Sequence, residues 1–145
     1  MACDYECTYR ERVRYADCDL HAHLNNARYF TFMEQARVGY LLAIGMRPES
    51  RRESIPFILV HARCDFRVSA LLNDEIDIAL GVTRFGNSSF TLGYRLQRVA
   101  DGVVLAEGET VQAWFDYTTM RAVPVPLSFR EAVQALKRAR GLPPV

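Results

Sequence analysis

Asp17, Asp19, His21, His23, Asn25 and Asn26 crowd into one short run of the chain, inside the stretch Tyr15 to Arg37 that reads YADCDLHAHLNNARYFTFMEQAR. Carboxylates and imidazoles at this density suit proton transfer or attack on a carbonyl carbon. The two asparagines stand where an apolar run begins, and an amide side chain there can cap the first turn of a helix. A helix opened by Asn25 or Asn26 would aim its free N–H groups and its positive end at Asp17 and Asp19. Such N–H groups can hold a carbonyl oxygen as it gains negative charge, while a carboxylate attacks the carbon or activates a water. The reaction class read from these residues is acyl transfer to water.

Two elements must position this cluster. From Ala27 to Ile44 there is no proline, and Phe30, Met33, Tyr40, Leu41 and Ile44 recur at helical spacing. Tyr29, Phe32, Ala36 and Ala43 widen that face, leaving Arg28, Thr31, Glu34 and Gln35 as a narrow polar strip. Gly45 and Pro48 form the stop signal. The spacing predicts a helix enclosed on most sides. Ahead of it, Glu6 to Tyr15 alternates, with Tyr9, Val13 and Tyr15 on one side and Arg10, Arg12 and Arg14 on the other. That is a half-buried strand which delivers the aspartates to the helix.

The rest reads as a meander. A long strand from Phe57 to Val68 has one mixed face, carrying Leu59, His61, Arg63, Asp65 and Arg67, which suits the border of a ligand or of another subunit. Glu75 to Arg84, Phe90 to Leu96 and Val103 to Tyr117 follow, separated by turns at Gly86-Asn87 and Asp101-Gly102. Ser128 with Glu131 has the capping-box pattern ahead of a basic helix through Arg140. The order is α+β with an antiparallel sheet.

The central stretch resembles the active-site segment of the hotdog-fold acyl-CoA thioesterases of the 4-hydroxybenzoyl-CoA thioesterase type. Tyr15, Asp17, Asp19, His23, Asn25, Asn26, Ala27, Tyr29, Glu34, Ala36 and Arg37 stand at the positions of that family's pattern. Ala22 takes the place of its usual glycine, and alanine is disfavoured there if the position needs a positive φ. Phe66 to Asp74, Gly86 to Phe90 and the closing run Val123 to Leu127 also look familial. The resemblance implies a curled antiparallel sheet wrapped around the long helix, with a short C-terminal helix. It implies an acyl-CoA substrate, no metal or cofactor, and a homodimer or homotetramer. It gives Asp19 the catalytic carboxylate position, as nucleophile or general base, and the backbone N–H near Asn26 the oxyanion position. His23 takes the histidine position of one subgroup, where it orients a water or touches the thioester. Ser88 and Ser89 fall where relatives approach the pantetheine arm or nucleotide of coenzyme A. Asn25, Tyr29 and His61 complete the candidate substrate-binding set.

Each of these residues also has a plain structural reading. Asp17 can pair with Arg14, Glu34 with Arg28 or Arg37, and His23 can simply pack the loop. Asn25 and Asn26 can be caps that also set the N–H groups in place. Ser88 and Ser89 fit an ordinary polar hairpin turn.

Other chemistries fare poorly. No Gly-x-Ser-x-Gly and no phosphate-cradling glycine loop is present. Flanking carboxylates would oppose a Cys18 thiolate. The four cysteines have neither zinc-like nor disulfide-framework spacing, which fits a reducing cytoplasm. With 145 residues, half of them apolar, and a net charge of +1, the expectation is one domain spanning residues 1–145. Nothing points to nucleic acid or to membrane insertion. Two rival readings keep the fold. One is a thioesterase acting on acyl carrier protein, docked on a basic surface of Arg130, Lys137, Arg138 and Arg140; the other is a non-catalytic acyl-CoA-binding protein.

Overall fold

A computed structural model describes residues 4–47 and 55–145. Its elements are β1 (Cys7–Arg12), α1 (Asn26–Ala43), β2 (Phe57–Phe66), β3 (Glu75–Phe85), β4 (Ser89–Arg98), β5 (Val104–Asp116), β6 (Arg121–Ala122) and α2 (Leu127–Ala139). The sheet is antiparallel in the order β1-β3-β4-β5-β2, with the short β6 paired to β5. It curls around α1 in the hotdog arrangement. One difference lies at the first strand, which ends at Arg12; the chain then turns through a 3-10 segment, Tyr15–Asp17. Tyr15 is thereby turned out to 85% exposure instead of joining Val13 inside.

The core lies between α1 and the concave face of the sheet. Tyr29, Phe32, Met33, Ala36, Tyr40 and Leu41 of α1 meet Ile76, Ile78, Leu80 and Val82 of β3 and Leu92, Tyr94 and Leu96 of β4. These strand residues alternate along each strand, as a sheet with one buried face requires. The edge strand β2 breaks its register between Leu59 and His61 and leaves Leu59, Val60 and Phe66 about half exposed.

A second, polar tie closes the fold. The buried Glu6 carboxylate accepts from the Tyr40 hydroxyl at 2.8 Å and from the Val82 N–H at 2.9 Å, while Lys137 of α2 pairs with its other oxygen at 3.0 Å. This carboxylate lies directly over Gly81, where a Cβ would stand 2.1 Å from Oε2, so β3 carries glycine there. The C-terminal helix starts at Leu127, after Pro126, and makes no side-chain cap, so the Ser128–Glu131 capping box is not formed. Pro126 occupies the N-cap position and fixes the entry φ, but has no side-chain acceptor to offer the first turn.

Candidate active site

The helix runs from Asn26, and of the two asparagines expected to cap it Asn25 is the N-cap. Its side-chain oxygen accepts from Ala27 N–H at 2.9 Å and its carbonyl accepts from Arg28 N–H at 2.8 Å. Asn25 N–H in turn donates to the Asp17 carbonyl at 2.8 Å, which ties the helix start to the 3-10 turn. The Asn26 N–H, first of the helix, has no intrahelical acceptor by its position, and Asn26 lines a cavity of about 290 Å³. Asp19, His23, Tyr29, Phe66 and Ser69 wall the same cavity. Asp19 and the first residue of the helix therefore line one space.

The loop that carries Asp19 is held by its own backbone. Asp19 N–H donates to the His23 carbonyl and Ala22 N–H to the Asp19 carbonyl, both at 3.0 Å, and Asp19 Oδ1 accepts from His21 N–H at 2.9 Å. His23 is further fixed by a bridge to Leu71. The turn closes only because Ala22 adopts φ 58, the left-handed region that glycine takes at lower cost. Asp19 also stands on the wall of a second hollow of about 500 Å³, lined by Tyr15, Cys18, Leu20, Ala22 and Leu72.

Asp17 has a different fate. Its side chain is buried, Arg14 holds both of its oxygens at 3.0 and 3.1 Å, and Arg28 lies 4.0 Å away. The hydrogen bond from Arg14 keeps its carboxyl below the usual carboxylate value, against the opposing effect of burial. It braces the loop and takes no part in the cavity wall. Tyr29 is buried with its ring against Phe66, 5.0 Å between centroids, and burial pushes its phenol up.

Three candidates lie elsewhere in the protomer. His61 is exposed on β2, opposite Val111. Ser88 and Ser89 flank the β3–β4 turn, with Ser89 opposite Ala113, whereas Phe66 at the cavity is opposite Ala106. Those two levels of β5 are separated by roughly 23 Å of strand. The cations expected for Glu34 are directed elsewhere, Arg28 toward Asp17 and Arg37 to the Tyr94 hydroxyl at 3.3 Å. The basic surface of α2 is also smaller than the sequence suggests. Lys137 is buried on Glu6, and Arg130 donates to the Gly86 and Asn87 carbonyls while lying over the Phe85 ring. Arg138 and Arg140 alone remain outward. What the sequence left unassigned is Gln112, a buried amide on β5 that reaches a third cavity beside Glu34 and Arg37. Its place inside an alternating strand was the only available signal. Among the described residues no group of three or more His, Cys, Asp or Glu could hold a metal ion.

Residues 13–134 match the model of the thioesterase-like superfamily, and the chain belongs to that family. It is 26% identical over 125 residues to the long-chain acyl-CoA thioesterase FadM of Escherichia coli, covering 86% of this chain and 95% of the relative. To the acyl-CoA thioesterase YbgC of Haemophilus influenzae it is 26% identical over 128 residues, covering 87% and 93%. Among solved structures, a Thermus thermophilus thioesterase complexed with coenzyme A and Zn superimposes with a TM-score of 0.82 at 28% identity, covering 97% of this chain and 98% of the other.

Proposed function

We propose that this protein hydrolyses acyl-CoA thioesters to free coenzyme A and a carboxylic acid, with Asp19 as the carboxylate of the reaction. The observation that carries the reading is the shared cavity: Asp19 and Asn26, the opening residue of α1, line the same space. A thioester carbonyl directed at the Asn26 N–H would shed its developing charge onto the helix end. Asp19 acts from the other side, as nucleophile through a mixed anhydride or as base toward water. Asn25 sets the N–H in place, and His23 and Tyr29 shape the space around the acyl carbon. The thioester straddles Asp19, with one hollow for each of its two arms.

The exposed edge of β2 fits a second copy of the chain, because an unpaired edge with half-exposed Leu59, Val60 and Phe66 invites strand pairing. A homodimer or homotetramer is the assembly proposed. His61, Ser88 and Ser89, distant from Asp19 in one protomer, contribute to substrate binding only from such a neighbour. Among the described residues no helix is long and apolar enough to cross a membrane. The thiols of Cys18 and Cys64, joined in no disulfide among the described residues, fit a cytoplasmic protein.

The test is thiol release from short, long and aromatic acyl-CoAs by the native protein and by Asp19→Asn. Loss of turnover in a folded variant that still binds acyl-CoA is the expected result. Turnover unchanged by the substitution would refute the assignment of Asp19.

A further inference from the structure

Asp19 lines two hollows, and their walls differ in kind. The cavity of about 290 Å³ at the head of α1 carries His23, Asn26, Arg67 and Ser69 among its wall residues. In the hollow of about 500 Å³ the residues beside Asp19 are Tyr15, Cys18, Leu20, Ala22 and Leu72. Apart from Asp19, only the Tyr15 phenol and the Cys18 thiol bring polar side-chain atoms to that wall, and Cys18 Sγ already donates to the Arg14 carbonyl at 3.6 Å. Among the described residues no cation and no amide side chain lines it. Leu20 is fully exposed, Tyr15 is 85% exposed and Leu72 is about half exposed. Large apolar side chains scattered singly over a surface are ordinary. Three of them on the wall of one hollow, beside the carboxylate assigned to the reaction, mark a ligand groove.

Tight turns hold these side chains in place. Tyr15 opens the 3-10 segment, and its carbonyl accepts from Cys18 N–H at 3.2 Å. Leu20 lies in the loop closed by Ala22 N–H on the Asp19 carbonyl. Leu72 lies in a turn closed twice, by Asp74 N–H on the Leu71 carbonyl at 3.0 Å and by Leu71 N–H on the Asp74 carboxylate at 2.9 Å. Arg98 holds that carboxylate at 3.1 Å. The bridge between His23 and Leu71 joins the last two turns, and each passes through a left-handed residue, Ala22 at φ 58 and Asn73 at φ 68. The wall is set before any ligand arrives, which spares binding the cost of ordering it.

The two arms of an acyl-CoA differ as the two walls do. The arm leading from the sulfur is a chain of amides, whose carbonyl and N–H groups need partners such as Asn26, Ser69 and Arg67, the last of which also pairs with Glu107 at 3.3 Å. An alkyl acyl group needs only apolar surface. Resting on thioester hydrolysis at Asp19, we propose that the acyl group is an alkyl chain without a polar substituent, seated in the larger hollow, and that Leu20 and Leu72 select it. The amide-bearing arm takes the Asn26 cavity. The chain covers side chains that the free protein leaves in water, so preference grows with apolar length. A carboxylate at the far end of the chain finds no cation in this wall and shares it with the like charge of Asp19.

The experiment measures thiol release from acetyl-CoA, octanoyl-CoA and octanedioyl-CoA, the last matching octanoyl in length but ending in a carboxylate. The proteins are the native chain, Leu20→Ala and Leu72→Lys. Both leucines lie outside the buried core, so neither substitution opens it. The native kcat/KM should favour octanoyl-CoA over octanedioyl-CoA by about 10-fold or more, mainly through KM. Leu20→Ala should lower the octanoyl-to-acetyl ratio by about 3- to 10-fold, a change that loss of folded protein would not produce, since it removes both turnovers alike. Leu72→Lys should lower the octanoyl-to-octanedioyl ratio by about 10-fold, because the new ammonium pairs with the distal carboxylate. Ratios unmoved by both substitutions, or a native preference for octanedioyl-CoA, overturn the assignment. Release of thiol from none of the three would overturn the hydrolase reading instead. The thioethers S-octyl-CoA and S-methyl-CoA, which cannot be hydrolysed, then decide the hollow by themselves in calorimetry: tighter octyl binding that Leu20→Ala weakens sustains it, and octyl binding unchanged by Leu20→Ala removes it.

Discussion

Replacing Ala22 by glycine should stabilise the protein, and the size of the gain can be worked from the loop. Ala22 holds φ 58 with an exposed side chain. Ala22 is exposed and outside the buried core, so removal of its methyl group forfeits little packing. An L-residue in the left-handed region costs about 1–2 kcal/mol relative to the right-handed one, and glycine is spared this. Against it stands the greater freedom of glycine in the unfolded chain, about 0.4–1 kcal/mol. The net gain for Ala22→Gly is therefore about 0.5–1 kcal/mol, which for a domain of this size raises Tm by roughly 1–4 °C. Urea unfolding with an unchanged m-value measures it directly. Asn73, at φ 68, supplies the control, because asparagine tolerates this region and Asn73→Gly should gain nothing comparable. A lower midpoint for Ala22→Gly, or an equal gain at Asn73, would refute the account of strain. Thiol release measured on the same preparation shows whether the strained turn beside Asp19 also serves turnover.

Two further outcomes concern buried charge. Lys137→Met leaves the Glu6 carboxylate buried with only Tyr40 and Val82 as donors, and should cost about 3–5 kcal/mol in urea unfolding. A penalty below about 1 kcal/mol would count against the buried pair. For Asp17 the pH dependence is the test: its folded pKa is depressed, so its contribution is present above the unfolded value and lost as the pH falls through the folded one. The native protein should lose more stability below about pH 4 than Asp17→Asn does, and parallel pH profiles would contradict this.

The parts of the fold that depend on neighbours in sequence were legible. Asn25 announces the helix start because a cap acts within three residues, and the alternation of β3 and β4 shows which side chains face α1. Asp19, His23, Asn26 and Tyr29 line one cavity because a single loop and a single helical turn bring them together. Residues joined across the sheet were not legible. Glu6 looked like the start of a strand, Lys137 like part of a solvated basic face and Gly81 like an ordinary strand residue, although the three meet in space. Gln112 was passed over for the same reason, as a polar residue in a strand shows its burial only when the partner strands are known. The capping-box pattern at Ser128 failed because Pro126 starts the helix first.

The ion pair between Glu6 and Lys137 joins residues 131 positions apart. On a ribosome the first of them therefore emerges well before the second. Through that interval Glu6 can keep its charge only in water, so it cannot settle over Gly81, and β1 lacks its anchor against β3. The hairpins β3–β4 and β4–β5, closed by local turns, can form meanwhile, with the free edge of β3 open to any strand that finds it. β1 is thus made ahead of the hairpins yet gains its anchor only after them, once α2 has followed.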